Sequence, residues 1–176
     1  MSGYDFDKTI YDGDCFIDFY FFTLLHRPYI IVMLPFQLLF FLFTFYNRKL
    51  LKQGFACYLL ITIDKDILIK NFWNVKLGKI KEWYLSQKKE NDIIISASPN
   101  FLISEACKRL GLKNYLATNM SLNTGIIHGK NCYGEEKVRR LRDYDSSLIL
   151  DAFYSDSKSD FVMKEVSKEI FLVKNN

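Results

Sequence analysis

Short apolar runs alternate with helix-like segments over the second half of the chain. Runs of this kind, bounded by polar residues, are typical of buried strands and occur at 93–96, 115–118, 152–155 and 169–173. Between them, apolar residues recur at helical spacing over 101–110, which ends at Gly111, and over 135–142. The glycine-punctuated stretch 123–131 predicts a hairpin. Alternating strands and helices predict an α/β fold in which helices cover a parallel sheet.

The first third of the chain has a different pattern, because residues 28–47 carry no charge. Twenty uncharged residues are long enough to cross a membrane as a helix, at about 1.5 Å per residue. Pro35 favours a kink or a hairpin tip instead. Basic residues that suit anionic headgroups flank the segment: Arg27, Arg48, Lys49 and Lys52. A buried helical hairpin inside a soluble domain is the alternative.

The overall composition narrows the class of protein. A chain of 176 residues with 49% apolar and 25% charged residues predicts one globular domain with a small insertion, not a disordered tail or a coiled coil. The net charge of +4, without a basic stripe interleaved with aromatics, argues against nucleic acid as a partner. Four widely spaced cysteines indicate a reducing compartment, and an acidic start argues against a secretion signal.

Four segments place acidic, hydroxyl or lysine side chains just after strand-like runs. These segments are 5–9, 96–99, the surroundings of Lys137, and 155–160. In open α/β sheets the carboxyl ends of the strands form the edge where ligands bind. Crowded carboxylates need a cation to neutralise their repulsion, and carboxylates without nearby histidine or cysteine suit Mg²⁺ rather than zinc.

The four segments resemble the motifs of the haloacid dehalogenase superfamily, in order and over the whole chain. DFDKT resembles its first motif, IIISAS its second, Lys137 in NCYGEEKVRRL its third, and YSDSKSD its fourth, in the form of the phosphoserine-phosphatase-like branch. The resemblance implies a Rossmann-like parallel-sheet core over 1–14 and 89–176. It also implies a helical cap over 15–88, inserted after the first strand and strongly apolar here.

The same resemblance implies a role for each residue that matches a motif. Asp5 is expected to be the nucleophile that forms an aspartyl-phosphate, and Asp7 the general acid and base. Ser96 and the backbone N–H of Ala97 are expected to hold phosphate oxygens. Lys137 is expected to stabilise the charge of the nucleophile and of the phosphoryl group.

The resemblance also implies a Mg²⁺ site. Its ligands are expected to be Asp5, the carbonyl of Asp7 and Asp156, with Asp160 as a further ligand or an outer partner. Two departures from the family pattern are visible. Only four residues precede Asp5, which makes the first strand short, and Ala97 stands where relatives often have glycine.

The expected cap is too apolar to suit a zwitterionic substrate. It is more similar to the apolar insertion of the bacterial phosphatidylglycerophosphatase of the same branch. Because Asp5 precedes residues 28–47 and its expected partners follow them, a single crossing would split the site, and 54–63 is too short for a second crossing. The segment must therefore enter and leave on one face of the membrane, with Pro35 as the expected bend.

The expected function is a Mg²⁺-dependent phosphatase that hydrolyses a phosphate monoester, with a lipid phosphate as a candidate substrate. It is expected at the cytoplasmic face of the membrane, with the cytoplasm as the alternative. Two other functions stay open: a soluble phosphatase for small, phosphoserine-like metabolites, and a non-catalytic, membrane-anchored phosphate-binding protein. Substrate identity and oligomeric state stay open as well.

Overall fold

The computed structural model describes residues 1–174 and contains one parallel sheet of five strands. The strands are β1 (Gly3–Tyr4), β2 (Ile93–Pro99), β3 (Asn114–Thr118), β4 (Leu150–Ser155) and β5 (Ser167–Leu172). Their order is β3-β2-β1-β4-β5, and all neighbouring pairs are parallel. The α/β fold predicted from the alternation of strands and helices is therefore confirmed, and β1 is both central and short.

Within residues 1–174, seven α-helices flank this sheet. They are α1 (Cys15–His26), α2 (Leu34–Thr44), α3 (Arg48–Phe55), α4 (Lys65–Lys76), α5 (Glu82–Gln87), α6 (Asn100–Leu110) and α7 (Glu135–Tyr144). Four 3-10 helices span Pro28–Met33, Ala56–Leu60, Leu77–Lys79 and Lys158–Glu165. The helix predicted to end at Gly111 does so, since Gly111 has a φ of 69° and its N–H closes the last turn.

The core lies on both faces of the sheet, because successive side chains of a strand point to opposite sides. Ile94 packs into a cluster with α1, α4 and α6, whereas Ile93 and Ile95 pack into a second cluster with α7. Helices α1 to α5 all lie between β1 and β2, where the insertion is expected. Phe19 of α1 and Phe72 of α4 belong to the first cluster, so the inserted helices share a core with the sheet.

Two local predictions differ from the structure. The hairpin predicted at 123–131 is reduced to one antiparallel bridge, which joins Met120 to Ile127 across a turn, and no strand lies within 123–131. The bend expected at Pro35 is wrong: Pro35 lies in the first turn of α2, where its missing N–H costs no hydrogen bond. The chain bends instead at Arg27, between α1 and the segment that begins at Pro28.

The segment without charges lies on the surface. Thirteen of its apolar side chains are exposed, from Tyr29 to Tyr46, and only Ile30 and Gln37 are buried. This exposure does not match the alternative of a buried hairpin. Within residues 1–174, no single helix has the length and hydropathy to cross a membrane; Cys15–His26 and Pro28–Thr44 meet the test only as a pair, with 119° between them.

Candidate active site

Asp5 and Lys137 form a buried ion pair at the carboxyl edge of the sheet. Asp5 directly follows β1, and its N–H donates to the carbonyl of Tyr154 in β4. Lys137 lies in the first turn of α7, and its Nζ is 2.7 Å from Asp5 Oδ1. Burial raises the pKa of Asp5 to about 7, while the charge of Lys137 acts in the opposite direction. Without that lysine, burial would favour the protonated form of Asp5 still more strongly.

Asp160 holds the other side of the same ammonium group. Its Oδ2 lies 2.6 Å from Lys137 Nζ and accepts a hydrogen bond from Ser155 at 2.7 Å. Burial alone would lower the pKa of Lys137, but the charges of Asp5 and Asp160 raise it above its usual value. Lys137 therefore stays protonated and faces two carboxylates.

Asp7 has neutral donors rather than a cation as its partners. Its Oδ1 accepts the N–H of Cys15 at 2.7 Å, and its Oδ2 accepts the hydroxyl of Ser98 at 2.5 Å. Burial and then the charge of Asp14 raise the pKa of Asp7, and these hydrogen bonds lower it. The next residue, Lys8, has a φ of 59°, in the left-handed region that residues other than glycine rarely adopt.

Asp156 is joined to Asp5 through Thr9. The hydroxyl of Thr9 lies 3.5 Å from Asp5 Oδ2 and 3.5 Å from Asp156 Oδ1, and it accepts the N–H of Asp156 at 2.9 Å. One oxygen of Asp5 and one oxygen of Asp156 thus face the same small region. Asp160 Oδ1 is also buried, without a hydrogen-bond partner in the described chain.

These oxygens fit Mg²⁺. It binds through one or two carboxylates and keeps several waters, so it does not require a closed protein cage. Within residues 1–174, no group of three His, Cys, Asp or Glu side chains is arranged to hold a metal ion. Among the expected ligands, Asp5 and Asp156 each direct one oxygen to the same region beside Thr9. Asp160 Oδ2, in contrast, already accepts hydrogen bonds from Lys137 and Ser155.

The end of β2 provides the expected phosphate-binding segment. Ser96 is fully buried, and its hydroxyl accepts the N–H of Ser98 at 3.0 Å. Ala97 and Ser98 line the pocket beside Asp5 and Asp7. The role of Ser96 stays a prediction, and Ser98 is the hydroxyl of this segment that reaches the pocket.

Asp5, Asp7 and Lys137 line a pocket of ≈ 540 Å³. One part of its wall is acidic and includes Asp5, Asp7 and Asp156. The inserted helices supply another part of the wall, which includes apolar Phe16, Ile17, Phe41, Leu51 and Phe55, and basic Arg48 and Lys52. The pocket is therefore amphipathic, with acidic side chains at the sheet edge and apolar side chains on the inserted helices.

The structure brings every predicted site residue to this edge of the sheet. Sequence reasoning did not single out Ser98 as a partner of Asp7, nor the hydroxyl of Thr9 as a link between Asp5 and Asp156. It treated Arg48 and Lys52 as flanks for a membrane surface rather than as pocket residues. The position of Ser98 two residues after Ser96 in an extended segment was an available signal, since such residues share a face.

Comparison with known proteins places the chain in a family. The model of the haloacid dehalogenase-like hydrolases matches residues 3–165. Protein CicA of Caulobacter vibrioides is 29% identical over 83 residues, which are 44% of this chain and 37% of that protein. The aligned part thus spans little more than a third of this curated relative.

Solved structures share the fold at low sequence identity. A Bordetella pertussis Tohama I protein of unknown function superposes with a TM-score of 0.71 at 15% identity, covering 96% of this chain and 87% of that one. A phosphoserine phosphatase in its apo form gives a TM-score of 0.50 at 11% identity, covering 96% of this chain and 83% of that one. With the family match over nearly the whole chain and all four motifs at one sheet edge, this protein belongs to the haloacid dehalogenase-like hydrolases.

Proposed function

We propose that this protein is a Mg²⁺-dependent phosphatase that hydrolyses a phosphate monoester through an aspartyl-phosphate. The observation that carries the proposal is the buried pair of Asp5 and Lys137, 2.7 Å apart, which shares one pocket with Asp7. A carboxylate beside a fixed cation is a nucleophile that can approach an anionic phosphate. The fold shared with a phosphoserine phosphatase supports the same chemistry.

In the first step, an oxygen of Asp5 attacks phosphorus, and the bond between phosphorus and the ester oxygen breaks. Asp7 gives its proton to the leaving oxygen, so that an alcohol departs and Asp7 is left as a carboxylate. The raised pKa of Asp7 suits this role, because it keeps the acid protonated closer to neutral pH. The backbone N–H of Ala97 and the hydroxyls of Ser96 and Ser98 are the proposed donors to the phosphoryl oxygens.

In the second step, Asp7 takes a proton from a water molecule, which attacks phosphorus. The bond between phosphorus and Asp5 breaks, inorganic phosphate leaves, and both carboxyl groups return to their starting states. Lys137 keeps its charge throughout, because Asp160 holds it from the other side. It thereby stabilises negative charge on Asp5 and on the phosphoryl oxygens.

Mg²⁺ would be held by Asp5, Asp156 and the backbone carbonyl of Asp7. When bound, it would neutralise charge on the phosphate and orient the phosphate for in-line attack. Asp160 supports Lys137 in this proposal rather than the metal, since its Oδ2 already accepts from that lysine and from Ser155.

We further propose that the protein works at the cytoplasmic face of a membrane, on a lipid phosphate or another amphipathic ester. The exposed apolar side chains of 29–46 support contact with a lipid surface. The apolar wall of the pocket supports an apolar substrate. Four unpaired cysteines agree with a reducing compartment.

The test is phosphate release by the purified protein from a panel of monoesters, with Mg²⁺ or with EDTA. The panel pairs phosphoserine and sugar phosphates with phosphatidylglycerophosphate in detergent micelles. We expect turnover that requires Mg²⁺ and falls by at least about a thousandfold in Asp5→Asn, because the amide cannot act as the nucleophile.

Asp12→Asn is the matched control, since this exposed carboxylate lies seven residues along and outside the pocket. It should retain wild-type turnover, and thermal unfolding should show that both variants fold. Turnover that persists in Asp5→Asn would contradict the mechanism. Absence of turnover on every ester would favour the non-catalytic, phosphate-binding alternative.

A further inference from the structure

Helix α3 presents two cations to the pocket. Arg48 and Lys52 both line it and are four residues apart, so they lie on one face of the helix. Lys49 on the same helix does not line the pocket. The inserted helices therefore contribute positive charge to the site as well as apolar rings.

Lys52 has neutral partners only. Its Nζ donates to the carbonyl of Ala97 at 2.9 Å and to Asn131 Oδ1 at 3.3 Å. Among residues 1–174, no carboxylate lies within 4.0 Å of this ammonium group; Asp7 and Asp14 act on it from further away. Burial lowers the pKa of Lys52, because the charged ammonium group is poorly solvated. A half-buried cation held by neutral acceptors is stabilised when an anion binds beside it.

Arg48 extends the positive charge one helical turn from Lys52, at an exposed position. Its guanidinium lies 4.5 Å from the centre of the Tyr133 ring, and no carboxylate in the described chain pairs with it. Stacking on an aromatic ring fixes the plane of the guanidinium and leaves its edge free for two parallel hydrogen bonds to an anion. Arg48 and Lys52 are thus two cations on one wall of the pocket, which we call the cap cation pair.

The cap cation pair belongs to an inserted helix, whereas Lys137 belongs to α7 at the sheet edge. Lys137 serves the scissile phosphate, and Asp5 and Asp160 already balance its charge. Lys52 Nζ lies at the carbonyl of Ala97, and Arg48 lies about one helical turn away from it on α3. Phe41 and Leu51 line the same pocket, so an anion here sits beside an apolar surface.

We propose that the cap cation pair binds a second anionic group of the substrate, so that the enzyme prefers amphipathic monoesters that carry one. Arg48 and Lys52 are then specificity-determining residues contributed by the insertion. This inference rests on the proposed phosphatase function and adds to it the charge pattern of the substrate.

The test uses two soluble probes that differ by one group. Hexyl phosphate has one anionic group, and 6-phosphonohexyl phosphate adds a phosphonate that cannot be hydrolysed, so each probe has one scissile bond. With Mg²⁺, we expect kcat/KM to be about tenfold higher for the phosphonate probe, mainly through KM, since charge-assisted hydrogen bonds form to the second anion. In Arg48→Met and Lys52→Met the ratio between the probes should fall towards one.

Lys49→Met is the control, because it removes the same charge from the same helix outside the pocket and should retain the wild-type ratio. Lys52→Arg should restore part of the preference that Lys52→Met loses. Equal loss on both probes in Arg48→Met and Lys52→Met would overturn the inference, because the pair would then serve the scissile phosphate or the fold. Wild-type turnover of both probes without preference would overturn it but leave the phosphatase function intact, whereas turnover of neither would remove both.

Discussion

The two aspartates of the first motif differ in chemistry because their surroundings differ. Asp5 faces the ammonium of Lys137, which favours its ionised form. Burial and then the charge of Asp14 favour the protonated form of Asp7, against hydrogen bonds from Cys15 and Ser98 that favour its ionised form. Two carboxyl groups whose environments push their pKa values differently can divide the roles of nucleophile and acid. Ser98 belongs to this division, although no motif assigned it a role.

Replacement of Ser98 by alanine should move the pH profile. The hydroxyl of Ser98 stabilises the ionised form of Asp7 and so lowers its pKa; without it the pKa of Asp7 rises further. The alkaline limb of kcat/KM, where protonated Asp7 is lost, should therefore shift to higher pH in Ser98→Ala. Initial rates with Mg²⁺ across the pH range measure this, with Ser104→Ala as a control, since Ser104 bonds only within α6. A uniform loss of activity with an unmoved limb would contradict it.

At the scale of single elements, the first turn of α7 is anchored by charge. Glu136 is buried and accepts hydrogen bonds from Arg139 and Arg140. Arg140 also donates to the carbonyls of Ala117 at the end of β3 and of Lys130. These bonds join α7 to the sheet edge beside Lys137, so they position its ammonium group.

Glu136→Gln should make the protein less stable at neutral pH but not in acid. Hydrogen bonds, first from Arg139 and then from Arg140, lower the pKa of Glu136 from 4.5 to about 2. A depressed folded-state pKa contributes stability above pH 4.5 that is lost as pH falls towards 2. We expect a difference of about 1 kcal/mol at pH 6, since exposed Arg139 is screened by solvent, and a smaller one at pH 3. Urea unfolding at both pH values, with exposed Glu135→Gln as control, checks this; a constant difference would contradict it.

Helices α2 and α3 approach each other closely at Gly54. A Cβ added there would lie 2.5 Å from the Cβ of Phe40, which cannot swing away without moving α2. Gly54→Ala should therefore lower the free energy of unfolding by about 1–3 kcal/mol through overpacking. The matched change Gly78→Ala meets no atom within 4 Å and should alter stability by less than about 0.5 kcal/mol. Equal urea midpoints for the two variants would contradict this prediction, because they would show that α2 moves to accommodate the added methyl group without loss of stability.

At the scale of the whole molecule, the proposed catalytic site and the proposed membrane-contacting surface lie next to each other. The sheet edge supplies the acids and Lys137, while the inserted helices supply the opposite pocket wall and an exposed apolar face on α2. Phe41 contributes to that wall and is also among the exposed side chains of α2. A lipid lying against α2 would therefore be next to the entrance of the pocket.

The proposed membrane contact predicts vesicle binding that depends on α2. Replacing both Leu42 and Phe43 by serine removes two exposed apolar side chains that do not line the pocket. Each should contribute about 1.5 kcal/mol or more when buried in lipid, so affinity should fall by at least about a hundredfold. Cosedimentation with vesicles containing phosphatidylglycerol measures it. The control replaces Ile67 and Val75 on α4 by serine, since these side chains are similarly exposed. Equal vesicle binding by the two double variants would contradict a role for α2.

The amino-acid sequence by itself determined the α/β architecture and the order of the four motifs. Periods of two and 3.6 residues are local properties, and strands that alternate with helices have few topologies open to them. Asp5, Asp156 and Lys137 follow as neighbours, because the carboxyl ends of parallel strands and the helices beside them meet at one edge.

Only the tertiary structure decided which side chains complete the site. Lys52 meets the carbonyl of Ala97 across 45 positions, and Ser98 meets Asp7 across 91. Such contacts depend on how the inserted helices pack against the sheet, which no periodicity encodes. The bend at Arg27 rather than Pro35 is of the same kind, since a proline is equally compatible with a kink and with the first turn of a helix. Local patterns set the elements, and packing between distant elements set the charge of the pocket.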